Sequence, residues 1–263
     1  MNGIERIAAA FESSGGRAAL MPYLMGGFPD LERSLAIGRA CAAAGAALLE
    51  VGVPFSDPLA DGPVIHAAAT AALGAGVTTS QALEVAAGLA TEIPVVVMCY
   101  ANPIFARGLE HFADGLAEAG ISGLIVPDLP VEEADAVLEA CDGRGLALVP
   151  LVAPTTPQQR LELIGHRARG FVYVVSVTGT TGERSAVDGT LAALLGRVRD
   201  HAELPVAVGF GISTPAQARA AADAGAAGVI IGSRLVRAAA ESDDSAAAVG
   251  ALVAEFQEAL RTT

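Results

Sequence analysis

The sequence predicts an α/β protein, a closed barrel of eight parallel strands wrapped by helices, on three observations. Short runs of Val, Leu and Ile alternate from end to end with Ala-rich segments of helical pattern, the signature of parallel strands joined by crossover helices. The runs recur mostly about 23 to 35 residues apart, as a βα unit requires. About eight such units in 263 residues match a (β/α)8 or TIM barrel, whereas a doubly wound open sheet commonly uses fewer strands and a Gly-rich first turn.

Each element follows from its local pattern. Residues 2–14 read as an extra N-terminal helix closing the bottom of the barrel. Strands are predicted at 20–24, 47–53, 95–100, 123–126, 147–152, 171–176, 206–209 and 229–231, with one longer gap after the second. Helices are predicted at 31–44, 80–90, 109–119, 132–141, 157–166, 190–200 and 215–224, and residues 245–260 form the last outer helix. Gly45, Gly120 and Gly225 supply the clearest C-terminal stops. With no linker or low-complexity tract in view, residues 1–263 are expected to form a single TIM-barrel domain.

Composition excludes several functions. Sixteen basic against twenty-nine acidic residues leave a net charge of -13, which repels nucleic acid and anionic membranes at long range. Every basic residue is Arg, so no lysine Schiff base, of an aldolase or of a pyridoxal-phosphate enzyme, can form on this chain. Cys41, Cys99 and Cys141 are odd in number and set in apolar runs, as expected of reduced core thiols in a cytoplasmic protein. The N-terminus has no signal-peptide core and no later stretch approaches the ~20 apolar residues of a membrane span. His66, His111, His166 and His201 fall in or beside helices with no two at ligand spacing, so they are expected at the surface and no metal site is expected.

The chemistry of such a barrel belongs at the C-terminal ends of its strands. In the second strand Leu48, Glu50 and Gly52 share one face. Glu50 therefore points into apolar surroundings, in the barrel or under the helices, where its carboxyl is expected to hold its proton unless an Arg pairs with it. The loop that follows contains three prolines and a glycine, which hold Asp57 and Asp61 at the catalytic end. A second carboxylate there is a candidate partner for Glu50, one protonated by burial and one kept ionised by solvent; the alternative is a turn cap. Gly209, Gly211, Gly232 and Ser233 follow the last two strands, where backbone N–H groups at a helix start can hold phosphate without lysine. A third Gly-rich stretch, 178–185, reads as a mobile lid. Tyr23, Tyr100 and Tyr173 lie in or at the end of strands, as core or as pocket wall, while Asn102 and Asp128 sit at the same end without an assigned chemistry.

The segment LEVGVPFSDPLADGP at 49–63 resembles the signature of the tryptophan synthase alpha chain family. YANP at 100–103, VPDLP at 126–130, TGTTG at 178–182, GFGI at 209–212 and GS at 232–233 resemble that family's later motifs in the right order, over nearly the whole chain. The resemblance implies a lyase that splits indole-3-glycerol phosphate by a retro-aldol reaction into indole and glyceraldehyde 3-phosphate, a step of tryptophan biosynthesis. It makes Glu50 and Asp61 the catalytic pair, with Tyr173 assisting. Tyr23, Ile65, Tyr100, Ile125 and Phe210 would line the indole pocket, and Thr181, Gly182, Gly211, Gly232 and Ser233 would hold the phosphate end. No cofactor is implied on this chain; pyridoxal phosphate is implied on a beta-chain partner, in an alpha2beta2 heterotetramer. The docking surface would be the catalytic face, through 54–59, 102–105 and 130–132. Two departures touch the pocket rim: Met25-Gly26-Gly27-Phe28-Pro29 replaces the family's usual Thr and Asp before the Pro, and Val177 stands at an often polar or basic position.

Two other classes stay open on the residues alone. A phosphate-binding isomerase barrel would share the glycine site but not the PFSDP run, and a silent regulatory subunit would not need both Glu50 and Asp61.

Overall fold

The computed structural model describes residues 1–175, 184–209 and 211–261, and the side chains of 184–189 are not described. Its sheet contains nine short parallel segments: β1 (Ala19–Met25), β2 (Leu49–Gly52), β3 (Val95–Met98), β4 (Gly123–Ile125), β5 (Ala147–Leu148), β6 (Leu151–Val152), β7 (Val172–Val175), β8 (Val206–Gly209) and β9 (Gly228–Ile231). They are ordered β5-β4-β3-β2-β1-β9-β8-β7-β6. The two ends of that order, β5 and β6, are halves of the one run expected at 147–152. Val149 N–H still donates to Leu124 O at 2.9 Å on the β4 side, and the Pro150 carbonyl accepts from Tyr173 N–H at 3.0 Å on the β7 side. Pro150 has no N–H to continue the first ladder, so the run changes partners there and the sheet closes into the eight-stranded barrel.

Side-chain alternation divides the core in two. Leu49, Val51, Val97, Leu124, Val174, Val208 and Val229 face the helices. Met21, Tyr23, Leu48, Val96, Met98, Ile125, Tyr173, Ala207 and Ile230 fill the barrel. Each of the larger aliphatic groups, once buried, contributes about 1.5–3 kcal/mol before entropy is counted. The three cysteines are buried and unpaired, and burial pushes each thiol up to about 12.

The bottom of the barrel is plugged by α1 (Gly3–Ser13). Its Asn2 cap and Glu5 exchange hydrogen bonds of 2.9 Å, Phe11 tilts against Phe171 at 5.8 Å, and Arg6 reaches the carbonyls of Ala90 and Gly120. Gly3 sits so close to Ser122 that an added Cβ would lie 2.3 Å from its carbonyl oxygen. Closure below leaves the other end free for chemistry.

The helix layer is richer than the sequence pattern indicated. Besides α2 (Leu31–Ala43), α3 (Pro63–Gly74) occupies the long gap after the second strand, with Pro63 at its first turn. Next come α4 (Thr79–Ala90), the short α5 (Ala101–Arg107) and α6 (Leu109–Glu118). The helix expected at 132–141 is a 3-10 turn at Val131–Glu133 followed by α7 (Asp135–Asp142), because the chain leaves Pro130 in an extended conformation and Ala134 ends the turn before the helix begins. After α8 (Gln158–Arg167), α9 (Arg184–Arg199) and α10 (Pro215–Asp223) comes α11 (Ser233–Glu241), which like α3 and α5 was not expected, and then α12 (Ser245–Arg261). His66, His111 and His166 are exposed and His201 is partly so.

Candidate active site

β2 carries Glu50 on the same inward face as Leu48. Its register places it beside Tyr23 of β1 and Val96 of β3, and it is 1% exposed. No Arg reaches it: neither carboxylate oxygen has a hydrogen-bond partner among the described residues. Burial first, and then the negative charge of Asp61, push its carboxyl up to about 8. Glu50 therefore holds its proton at neutral pH, as burial without a partner dictates.

Asp61 reaches the same space from the loop after β2, half-buried. Burial raises its carboxyl from the ordinary range, while a hydrogen bond from Tyr100 and the nearby His66 pull it back. Tyr100 Oη donates to Asp61 Oδ1 at 3.0 Å and accepts from Ala60 N–H at 3.0 Å. Tyr23 and Tyr173 complete the cluster. Burial, reinforced for Tyr23 by Asp61 and Glu50 and for Tyr173 by Glu50 and Tyr23, holds both phenols well above their usual range, so both remain protonated donors.

Two glycines make room for these phenols. A Cβ at Gly52 would lie 2.1 Å from Tyr23 Oη, and one at Gly209 would lie 2.4 Å from Tyr173 Oη. Each tyrosine hydroxyl thus lies against a neighbouring strand where any larger residue would displace it.

These groups surround a cavity of about 250 Å³ at the C-terminal end of the barrel. Of the residues expected in the site, Tyr23, Glu50, Asp61, Ile65, Tyr173, Gly211, Gly232 and Ser233 line it. Tyr100 and Ile125 do not: Tyr100 turns its hydroxyl to Asp61, and Ile125 is wholly buried in the barrel. Thr181, Gly182, Phe210 and Val177 lie outside the described residues, as does most of the expected lid. Sequence reasoning missed Gly62, Met98, Ile212, Ser213 and Ile230 on the wall. The alternation that singled out Glu50 would have found two of them, since Met98 pairs with Gly52 and Ile230 shares its strand face with Gly228. Asp128 has a structural task, its Oδ1 accepting from Ala101 N–H at 2.9 Å at the start of α5.

The far end of the cavity opens on the start of α11, through Gly232 and Ser233. Gly211 has φ +82, which favours glycine on backbone grounds. Gly232 has no such reason: its φ is -112, and an added Cβ would make only ordinary contact with the Tyr23 side chain at 3.6 Å. A side chain there would instead reach into the cavity beside the free N–H groups of a helix start, the local environment that receives anions.

An unpartnered buried acid facing a second carboxylate, with a helix start at the other end of one cavity, is the arrangement of a barrel enzyme of the lyase or isomerase kind. Comparison narrows this. The family model for the tryptophan synthase alpha chain matches residues 10–262. The tryptophan synthase alpha chain of Prochlorococcus marinus (strain MIT 9313) is 50% identical over 224 residues, 84% of this chain and 82% of that one. The protein of the same name from Synechococcus sp. (strain CC9902) is 48% identical over 248 residues, 93% of this chain and 92% of that one. Among solved structures, a chain of tryptophan synthase from Mycobacterium tuberculosis superposes with a TM-score of 0.89 at 39% identity, over 98% of this chain and 99% of that one. Tryptophan synthase subunit alpha from Legionella pneumophila does so at 0.89 and 34%, over 99% and 98%. The chain belongs to the tryptophan synthase alpha chain family, a family of lyases.

Proposed function

We propose that the chain cleaves indole-3-glycerol phosphate to indole and glyceraldehyde 3-phosphate, with Glu50 as the acid and Asp61 as the charge stabiliser. The observation that carries this reading is the buried, unpartnered Glu50, pushed up to about 8 on the wall of a cavity it shares with Asp61. Retro-aldol cleavage needs an electron sink, and on a chain without lysine the indole ring itself can serve. Glu50 gives its proton to C3 of the ring, which becomes an indolenine cation. Asp61 accepts a hydrogen bond from the ring N–H and stabilises that cation as it develops. The bond between C3 and the side chain then breaks, its electron pair returning to the ring. Glu50, now ionised, is the economical base for the glycerol hydroxyl proton, which regenerates the acid. Tyr173, held protonated near Glu50, assists as a donor.

The phosphate end fits the start of α11, where Gly232 gives the anion room and the N–H groups and helix dipole supply the charge. The test is release of indole from indole-3-glycerol phosphate by the purified chain, with Glu50→Gln as the control. Turnover by the native chain and a fall of at least about 10² to 10⁴ in the variant is expected; equal turnover would remove Glu50 from the mechanism.

The resemblance also supplies a partner, a pyridoxal-phosphate beta chain that consumes the indole in an alpha2beta2 assembly. Docking through 54–59, 102–105 and 130–132 is supported by exposed apolar side chains in the first two of these segments, Leu59 at 87% and Phe105 at 51%. Both lie on the catalytic rim, where indole would leave. The cytoplasm is the proposed location; no helix among the described residues is long and apolar enough to cross a membrane.

A further inference from the structure

We infer that Tyr100 is the positioning residue for Asp61, gripping the catalytic loop at two points so that one carboxylate oxygen is held and the other is left for the substrate. This rests on the role proposed above for Asp61. Tyr100 follows β3, where its backbone is braced by Asp128 accepting from the next N–H. Its ring stacks on Phe55 at 5.1 Å and 25° near the start of the loop. Its hydroxyl closes on the other end, accepting from Ala60 N–H and donating to Asp61 Oδ1, both at 3.0 Å. One phenol therefore fixes where the loop returns to the barrel and how the carboxylate is turned. With Oδ1 occupied, Oδ2 remains to accept an N–H, and a donor on Oδ1 also favours the ionised carboxylate that a developing cation needs. A residue with this task need not line the cavity, and Tyr100 does not.

Among the described residues, the groups that face Asp61 are Tyr100, His66 of α3, Glu50 of β2 and Tyr23 of β1. Of these only Tyr100 donates a hydrogen bond to it. Loss of that donor raises the carboxyl of Asp61, so the acidic limb of the pH–rate profile moves to higher pH.

The experiment is steady-state indole release across pH for the native chain, Tyr100→Phe, Asp61→Asn and the double variant. Tyr100→Phe keeps the ring and its stack on Phe55, so the fold is preserved and only the hydroxyl is removed. Turnover should fall about 10- to 100-fold with KM within about threefold, the acidic limb should shift upward, and the same change in the Asp61→Asn background should cost nothing further. Turnover within twofold with an unmoved limb, or a raised KM with turnover intact, would overturn the inference. Full turnover by Asp61→Asn itself would overturn the role of Asp61, and the inference with it. Loss in Asp61→Asn beside an unaffected Tyr100→Phe sinks the inference alone.

Discussion

Glu50 and Asp61 are both acids on one cavity wall, yet they reach it by different routes. Glu50 sits in the middle of a strand, and its environment is set by alternation: an inward position in a barrel is dry whatever the neighbours do. Asp61 sits on a loop, half-buried, and its state depends on a tyrosine that arrives from another strand. The strand makes one carboxyl an acid by denying it partners; the loop keeps the other nearer ionisation by giving it one. Opposed environments of this kind divide acid and charge-stabilising work between chemically similar groups.

The largest expected effect follows from that division. Glu50→Gln removes the proton and Asp61→Asn the charge, so each should lower turnover by at least about 10² to 10⁴, read as indole release. The phosphate product should still bind both variants, seen by calorimetry. A loss confined to binding would contradict the assigned roles.

Stability separates the two acids next. The folded Glu50 holds its proton up to about 8, whereas in the unfolded chain it is released near 4.5, so its presence lowers stability progressively as pH rises from about 4.5 to about 8. Glu50→Gln removes that decline: the variant should be more stable than the native chain by about 3 kcal/mol near pH 7 and equal to it near pH 4. Denaturant titrations at the two pH values check this. Asp61 is raised in the same sense but is half-buried and partnered, so Asp61→Asn should give a smaller gain. A larger gain from Asp61→Asn would break the comparison.

The supports beneath the site should respond in graded fashion. Gly52→Ala places a methyl against Tyr23 Oη and should cost about 1–3 kcal/mol as well as turnover, because Tyr23 neighbours Glu50 on the barrel's inner face. Gly232→Ala has no such clash and should fold normally while weakening phosphate binding. The smallest change is expected from Ser233→Ala, less than about tenfold in affinity for a glycerol phosphate, since the donors there are main-chain groups. A collapse of affinity in that variant would point to a side-chain phosphate site.

The contrast between strand and loop also marks how far the sequence could be read. All eight strands were legible, because apolar runs at βα spacing suit few architectures besides a parallel sheet under helices, and the buried state of Glu50 followed from period-two alternation. The break of the fifth strand was not: Pro150 signals a lost N–H, but only the closed barrel shows that the run changes partners there. Helices α3, α5 and α11 went unrecognised, the short α5 because its seven residues are too few to show a helical period, and α3 and α11 for a related reason. Each begins directly behind a Pro- or Gly-rich functional loop, at Gly62-Pro63 and Gly232-Ser233, and the loop signal masked the helix that anchors it. Ile65 nonetheless lines the cavity from α3. The bond from Tyr100 to Asp61 joins residues 39 apart, a tertiary contact that no local pattern encodes, and so Tyr100 read as an aromatic at a strand end.

The fold alone, before substrate arrives, makes Glu50 a proton donor at neutral pH. Carbon-detected NMR titration of the side-chain carboxyls in chain labelled at glutamate, with Glu50→Gln used to assign the signal, measures it directly. The expected result is a Glu50 resonance that titrates near 8. A Glu50 signal that titrates near its ordinary value of 4.5 would contradict this.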